Sequence, residues 1–242
     1  MRYSIIIPTL NEEKLLPGLL KQLSVPEFKK KYDYEIIVSD GNSSDNTVEI
    51  AKEYSDIVKV HPGSKKQNIA EGRNIGAKYS NGEFLIFLNG DVILPGVDKF
   101  FNYVETNFIN SGYLAMTCSV KVFPQEEILP DKIFQTFFNN YFKLLNIVGI
   151  GMGRGECHVI RKEVFNKFNG YNEELAAGED FDLFRKIRRT GKILFSKDLF
   201  IFESPRRFRK LGYKYVTWIW IKNGFSVFFK EKAISKEWEQ IR

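Results

Sequence analysis

Residues 84–91 read Phe84-Leu85-Ile86-Phe87-Leu88-Asn89-Gly90-Asp91. An unbroken apolar run of this length predicts a strand buried on both faces, as in parallel sheets covered by helices. A carboxylate stands where that strand must end. In open α/β sheets, ligands bind just beyond the carboxyl ends of the strands. The Asn89 amide, the sterically open Gly90 and the charge of Asp91 suit a hard divalent cation and leave room for phosphate oxygens. Asn-Gly is equally a favoured turn dipeptide. The stretch alone therefore reads as site or turn, and its surroundings decide.

Upstream, strands and helices alternate. Ser4–Ile7 reads as a strand, and Asn11-Glu12-Glu13 as the opening of a helix through Leu23 with Asn11 as N-cap. Glu35–Val38 is a strand ending at Ser39-Asp40-Gly41, and Ser43-Ser44-Asp45 starts a helix through Tyr54. Ile57–Val60 is a short strand, and 66–79 a helix. This alternation predicts parallel strands with right-handed crossovers, an α/β Rossmann-like sandwich. No G-x-G-x-x-G follows the first strand, which argues against an ordinary dinucleotide site.

The second half is less regular. Ala115–Val122 and Cys157–Ile160 read as strands, and 179–189 as a helix. Phe134, Phe137, Phe138, Tyr141, Phe142 and Leu145 recur at helical spacing, an aromatic stripe that is either core or exposed apolar surface. The run Gly149-Ile150-Gly151-Met152-Gly153-Arg154-Gly155 is too rich in glycine to be rigid, which predicts a mobile flap or a disordered loop.

Composition narrows the chemistry. The 242 residues, 43% hydrophobic, suffice for one large domain, or one domain with an appendage. Cys118 and Cys157 form neither a disulfide framework nor a zinc pair, and read as buried thiols. His61 and His158 do not make a multi-histidine metal centre, so acid–base work falls to carboxylates. The N-terminal apolar run is too short for a signal peptide, so residence in the cytoplasm is expected. The net charge of +6 is concentrated after Pro205, in Arg206, Arg207, Arg209, Lys210, Lys214, Lys222, Lys230, Lys232 and Lys236. Such a cluster suits a diphosphate or an anionic lipid, or is a solvated face; no nucleic-acid fold signature accompanies it.

Acids punctuate the ends of elements: Asp40, Asp91 and the pair Glu179-Asp180. Together with Ser4-Ile5-Ile6-Ile7-Pro8-Thr9-Leu10-Asn11-Glu12-Glu13, Val38 through Thr47, Gly72-Arg73-Asn74-Ile75-Gly76-Ala77 and Gly178-Glu179-Asp180-Phe181-Asp182-Leu183, they stand in the order and spacing of a known family. The chain resembles the family 2 glycosyltransferases of GT-A fold over roughly its first 200 residues. The resemblance implies an inverting glycosyltransferase that moves a sugar from a nucleoside-diphosphate donor, a UDP-sugar, to a hydroxyl or phosphate acceptor, lipid-linked in many relatives. It implies that Pro8, Thr9, Glu12, Asp40, Arg73, Asn89 and Gly90 bind the donor nucleotide, with Asp40 accepting a hydrogen bond from the base. It further implies that Asp91 binds Mg²⁺ or Mn²⁺, that Asp180 is the general base, and that Glu179 shapes the acceptor side. Arg206 and Arg207 fall where relatives place cations, and are either diphosphate ligands or surface arginines. Asn89 replaces the first acid of the family's Asp-x-Asp, so metal dependence is expected to be weak.

The expected organisation is a GT-A sandwich with a mostly parallel central sheet over 1–205, with a nucleotide-binding half (1–91) and an acceptor half (92–205). A basic, aromatic helical tail follows over 206–242. Residues 213–229 are too short and broken to span a bilayer. Their tryptophans, phenylalanines and lysines suit a membrane interface, at the cytoplasmic face, or else a helix docked on the domain or a second subunit. Two other functions compete. A non-catalytic relative that binds nucleotide sugars or glycans is favoured by Asn89 and opposed by the retained Asp91 and Asp180. A nucleotidyltransferase would want a basic glycine-rich loop where residues 8–13 are acidic.

Overall fold

The computed structural model describes residues 1–63, 67–230 and 241. Lys66, the expected start of one helix, and Lys232 and Lys236 of the basic tail lie outside these residues. The strands are β1 (Tyr3–Thr9), β2 (Tyr34–Asp40), β3 (Ile57–Val60), β4 (Phe84–Leu88), β5 (Val92–Ile93), β6 (Tyr113–Val122), β7 (Cys157–Arg161) and β8 (Lys192–Glu203). The helices are α1 (Leu16–Leu23), α2 (Pro26–Tyr32), α3 (Thr47–Tyr54), α4 (Ile69–Lys78), α5 (Val97–Val104), α6 (Leu129–Ile147), α7 (Lys162–Lys167), α8 (Glu179–Thr190), α9 (Arg206–Leu211) and α10 (Tyr213–Lys230). A π-helical turn, Glu105–Ile109, continues α5.

All the strands join one sheet in the order β3-β2-β1-β4-β7-β6-β8-β5. The first four are parallel, with Thr9 opposite Asp40 and Ile6 opposite Phe87. That register delivers the ends of β1, β2 and β4 to one edge. Every residue of β4 is buried, as its apolar run requires. The strand β7, expected from the sequence, runs antiparallel to both β4 and β6. Its first residue, Cys157, therefore pairs with the last residue of β4, Leu88, and the loop before β7 falls on the same edge. The strand β8 lies parallel to β6, so Glu203 and the following turn arrive there too, beside Val92.

Two local expectations are corrected. Asn11 is not a helix cap. It adopts a left-handed φ of 55°, its Oδ1 accepts from Ser44 N at 2.8 Å, and α1 begins later, where Pro17 fits the first turn. Likewise α3 starts at Thr47, because Asp45 accepts from the Thr47 amide and hydroxyl. The two loops thereby clasp each other, with Glu12 N donating to Thr47 Oγ1 at 2.7 Å.

The glycine-rich loop, expected as a mobile flap or disordered, lies packed against α8. A Cβ on Gly151 would stand 2.6 Å from Phe184 O, and one on Gly153 2.6 Å from His158 Nε2. These glycines allow the loop to lie directly on α8, a close approach that excludes larger residues. The aromatic stripe divides. Phe134, Phe138 and Phe142 are buried with Phe208 and Val216, whereas Phe137, Tyr141 and Leu144 are exposed. The tail helix α10 docks on the domain by one face, burying Val216 and Val227, and its opposite face exposes Tyr215, Trp218, Ile221 and Phe225. No described helix is long and apolar enough to cross a membrane. Both cysteines are buried and unbridged, as expected.

Candidate active site

The carboxyl edge of the sheet gathers the predicted acids, each from a different element. Asp40, at the end of β2, has no exposed surface. Its oxygens accept from Thr9 Oγ1 at 2.8 Å and from Ser43 N and Oγ at 2.7 and 2.6 Å. The hydrogen bond expected between Asp40 and a base must therefore be drawn from a carboxylate already engaged in buckling β1 to the next turn. Gly90 packs against this corner: a Cβ there would lie 3.4 Å from both Thr9 Cγ2 and Glu12 Cγ. Pro8 sits under α4, 3.1 Å from where a Cβ of Gly72 would be.

Beyond β4, Asp91 faces the turn after β8. Nη2 of Arg206 donates to Asp91 Oδ2 at 2.9 Å and to Glu12 Oε1 at 2.6 Å. Two carboxylates thus converge on one cationic nitrogen. Arg207, next on α9, is half-buried.

On the other side of β4, Arg73 from α4 is 1% exposed. Its Nη1 donates to Glu179 Oε1 at 2.6 Å, and its Nη2 to Gly155 O at 2.5 Å and Asn89 Oδ1 at 3.2 Å. Arg73 was expected at the nucleotide; the structure sets it between the end of β4 and the start of α8, clamping Glu179. Gly178, at φ 83°, turns the chain into α8, a left-handed conformation that glycine adopts without strain. Asp180 follows in the first turn and accepts from Phe181 N at 2.7 Å. A helix start normally favours a carboxylate's charge. Here burial opposes it most strongly, the neighbouring charge of Glu179 adds to that, and Arg73 offsets only part. The Asp180 carboxyl is pushed up to about 7.

Sequence reading overlooked a further group. Arg154 is 1% exposed; its Nε donates to Glu156 Oε2 at 3.2 Å, and Nη2 lies 3.8 Å from Glu203 Oε1. Burial first, then the charge of Glu156, pushes the Glu203 carboxyl well above the usual carboxylate range. The signal was present: Leu199-Phe200-Ile201-Phe202-Glu203 repeats the pattern of 84–91, an apolar run closed by an acid.

The donor set at Asp91 suits a hard divalent cation. Magnesium-like ions take one or two carboxylates and complete their shell with water and substrate phosphates, and Asp91 and Glu12 already share one cation position. Among the described residues no cluster of three or more His, Cys, Asp or Glu offers a complete cage, so an ion held at Asp91 and Glu12 would complete its shell with water or substrate oxygens.

Residues 4–168 match the family model of glycosyl transferase family 2. The chain belongs to glycosyl transferase family 2. Among family relatives, an uncharacterized glycosyltransferase of Haemophilus influenzae is 28% identical over 199 residues, 76% of this chain and 61% of that protein. The chain thus spans about three fifths of that relative's length. Two solved structures share the fold. A mannosyltransferase from Pyrobaculum calidifontis, in complex with GDP-Man and Mn²⁺, aligns with a TM-score of 0.69 at 17% identity over 95% of this chain and 63% of its own. TarS 1–349 of Staphylococcus aureus, in complex with UDP-GlcNAc, aligns at 0.61 and 19% identity over 84% of this chain and 58% of its own. The α/β sheet described above is the GT-A sheet of this family.

Proposed function

We propose that the chain is an inverting glycosyltransferase that uses a nucleoside-diphosphate sugar, with UDP as the nucleotide and Asp180 as general base. The observation that carries this reading is the gathering of Asp91, Glu12, Arg73, Glu179 and Asp180 at the carboxyl edge of the sheet, with Asp180 lining an open cleft; burial there also pushes the Asp180 carboxyl up to about 7. A general base works best when its pKa lies near the operating pH. Asp180 takes the proton of an acceptor hydroxyl as that oxygen attacks the anomeric carbon. The bond from that carbon to the diphosphate oxygen breaks, and the electron pair leaves with the nucleoside diphosphate. Attack from the face opposite the leaving group inverts the centre in one step.

Asp91 and Glu12 would hold Mg²⁺ or Mn²⁺, which would supply charge neutralisation on the leaving diphosphate. Arg206, displaced from the two acids, turns to the same diphosphate. Thr9, Asp40, Pro8 and Gly90 border the nucleotide, while Asn89 is oriented by Arg73. The reading of a non-catalytic binding protein gives no reason to keep the buried Asp180 carboxyl beside Glu179 and Arg73 at this edge of the sheet.

The experiment is a thermal-shift panel of UDP, GDP, CDP, TDP and ADP, each with and without Mn²⁺. Ligand bound at a hundredfold excess over Kd stabilises the fold by about 2.7 kcal/mol. We expect UDP with Mn²⁺ to raise Tm, Mn²⁺ alone to leave it unchanged, and Asp91→Ala to remove the metal-dependent part of the shift. Absence of a shift with every diphosphate refutes the donor class.

The exposed face of α10 extends the proposal to a membrane surface. Tyr215 and Trp218 stand beside Lys214 and Lys222, all exposed, the mixture of aromatic and basic side chains that lies in anionic interfaces. Each lysine near such a surface contributes about 1 kcal/mol. Vesicles rich in anionic lipid are expected to co-sediment the chain, with release at high salt and weaker capture by Trp218→Ser. Equal capture by neutral vesicles contradicts the role of the lysines.

A further inference from the structure

A cleft of about 390 Å³ opens at Asp180 and runs between α6 and α10, within the range of small-molecule sites, about 300–1,000 Å³. It has two chemically distinct ends. The inner end presents Glu156, Glu179 and Asp180 with Arg73 and Arg154. Both arginines are already paired, with Glu179 and with Glu156, so this end carries net negative charge. The outer end is walled by Phe138, Phe142 and Leu145 of α6 and by Trp220, Ile221 and Phe225 of α10. Ile221 and Phe225 remain 45% and 63% exposed, so the apolar wall continues onto the surface. Exposed Phe137, Leu144 and Ile147 extend it along α6, and soluble chains do not leave contiguous apolar surface of this kind without a use.

We propose that this cleft binds the apolar chain of a lipid alcohol and presents its hydroxyl to Asp180. The inference rests on the transferase reading for its chemistry, and on the cleft for its substrate class. A hydroxyl nucleophile needs a base to take its proton. A phosphate monoester is already ionised, needs none, and would meet Glu156, Glu179 and Asp180 at close range. The alcohol oxygen gives its proton to Asp180, which lines the inner end of the cleft. Binding of the chain by α6 and α10 is sequence-tolerant apolar burial, contributing about 0.8 kcal/mol for each methylene removed from water.

The test is equilibrium binding to the full chain of decan-1-ol, below its solubility limit, and of decyl phosphate, below its micellar concentration. Decan-1-ol is expected to bind saturably at one site and decyl phosphate at least about tenfold more weakly, equivalent to 1.4 kcal/mol. Phe225→Glu and Ile221→Glu, both at exposed positions, should each weaken decan-1-ol by about tenfold or more. Tyr79→Glu, exposed at the end of α4 and outside the cleft, should leave it unchanged. Tighter binding of decyl phosphate overturns the hydroxyl assignment. No saturable decan-1-ol binding, with the UDP and Mn²⁺ shift intact, overturns the cleft and leaves the transferase reading standing. Decan-1-ol binding without any nucleotide shift overturns the acceptor role, and the fault then lies with the transferase reading.

Discussion

Asp180→Asn is expected to lower sugar transfer by about 10²–10⁴-fold, the contribution of a positioned general base, while donor binding stays nearly intact. The same substitution should stabilise the fold at alkaline pH, and the sign follows from linkage. The folded Asp180 carboxyl titrates at about 7 against 3.8 for an unperturbed aspartate. Between those values the native state holds a proton that the unfolded chain has lost. Stability therefore falls as pH rises from about 4 to about 7, and the full penalty is present above that. Below about pH 4 both states are protonated and the penalty vanishes. Asparagine carries no charge at any pH, so the variant's Tm should exceed that of the parent at pH 8, by roughly 2–4 °C for each kcal/mol relieved, and match it near pH 4. Transfer by the parent should in turn rise with pH through about 7. Turnover by Asp180→Asn close to the parental rate assigns the base elsewhere.

Arg73→Ala carries the largest expected cost to stability. Its guanidinium is 1% exposed and 2.6 Å from Glu179, and removal leaves a buried carboxylate with no compensating cation. Breaking one side of such a pair typically costs about 3–5 kcal/mol, a large fraction of the roughly 5–15 kcal/mol that holds a domain folded. Urea unfolding reads this directly. The double variant Arg73→Ala with Glu179→Gln should recover part of the loss, because the uncompensated charge is gone, and a loss as large as in the single variant would place the cost in packing rather than charge. Activity moves as well. Arg73 draws the Asp180 carboxyl downward, so without it the acid limb of the pH profile shifts upward. Asn89 loses the donor that orients it, 3.2 Å away.

Much of this molecule is legible in local pattern. The run 84–88 is a fully buried strand because both faces of a parallel sheet are covered, and no other local structure of that length buries every side chain. Asp40, Asp91 and Asp180 stand at element ends because apolar periodicity stops there. Where local reading failed, a non-local partner had won. Asn11 looked like a cap, yet its side chain answers Ser44, 33 positions away. The glycines of 149–155 looked like freedom, yet they are contact surfaces, since Gly151 and Gly153 meet α8 where a Cβ has no room. The strand β8 and its terminal Glu203 were overlooked although they repeat the decisive pattern.

Sequence alone determined the strand–helix alternation of the first half, the parallel sense of its strands and the acids that end them, because periodicity and chain-breaking residues are properties of neighbouring positions. The tertiary structure decided which charge meets which. Arg73 reaches Glu179 across 106 positions and Arg206 reaches Glu12 across 194, pairings made by the antiparallel entry of β7 and the return of β8 to the same edge. The protonation of Asp180 follows from those pairings and from burial. Neither is written in the order of residues, because the energy of a charge depends on what surrounds it in space.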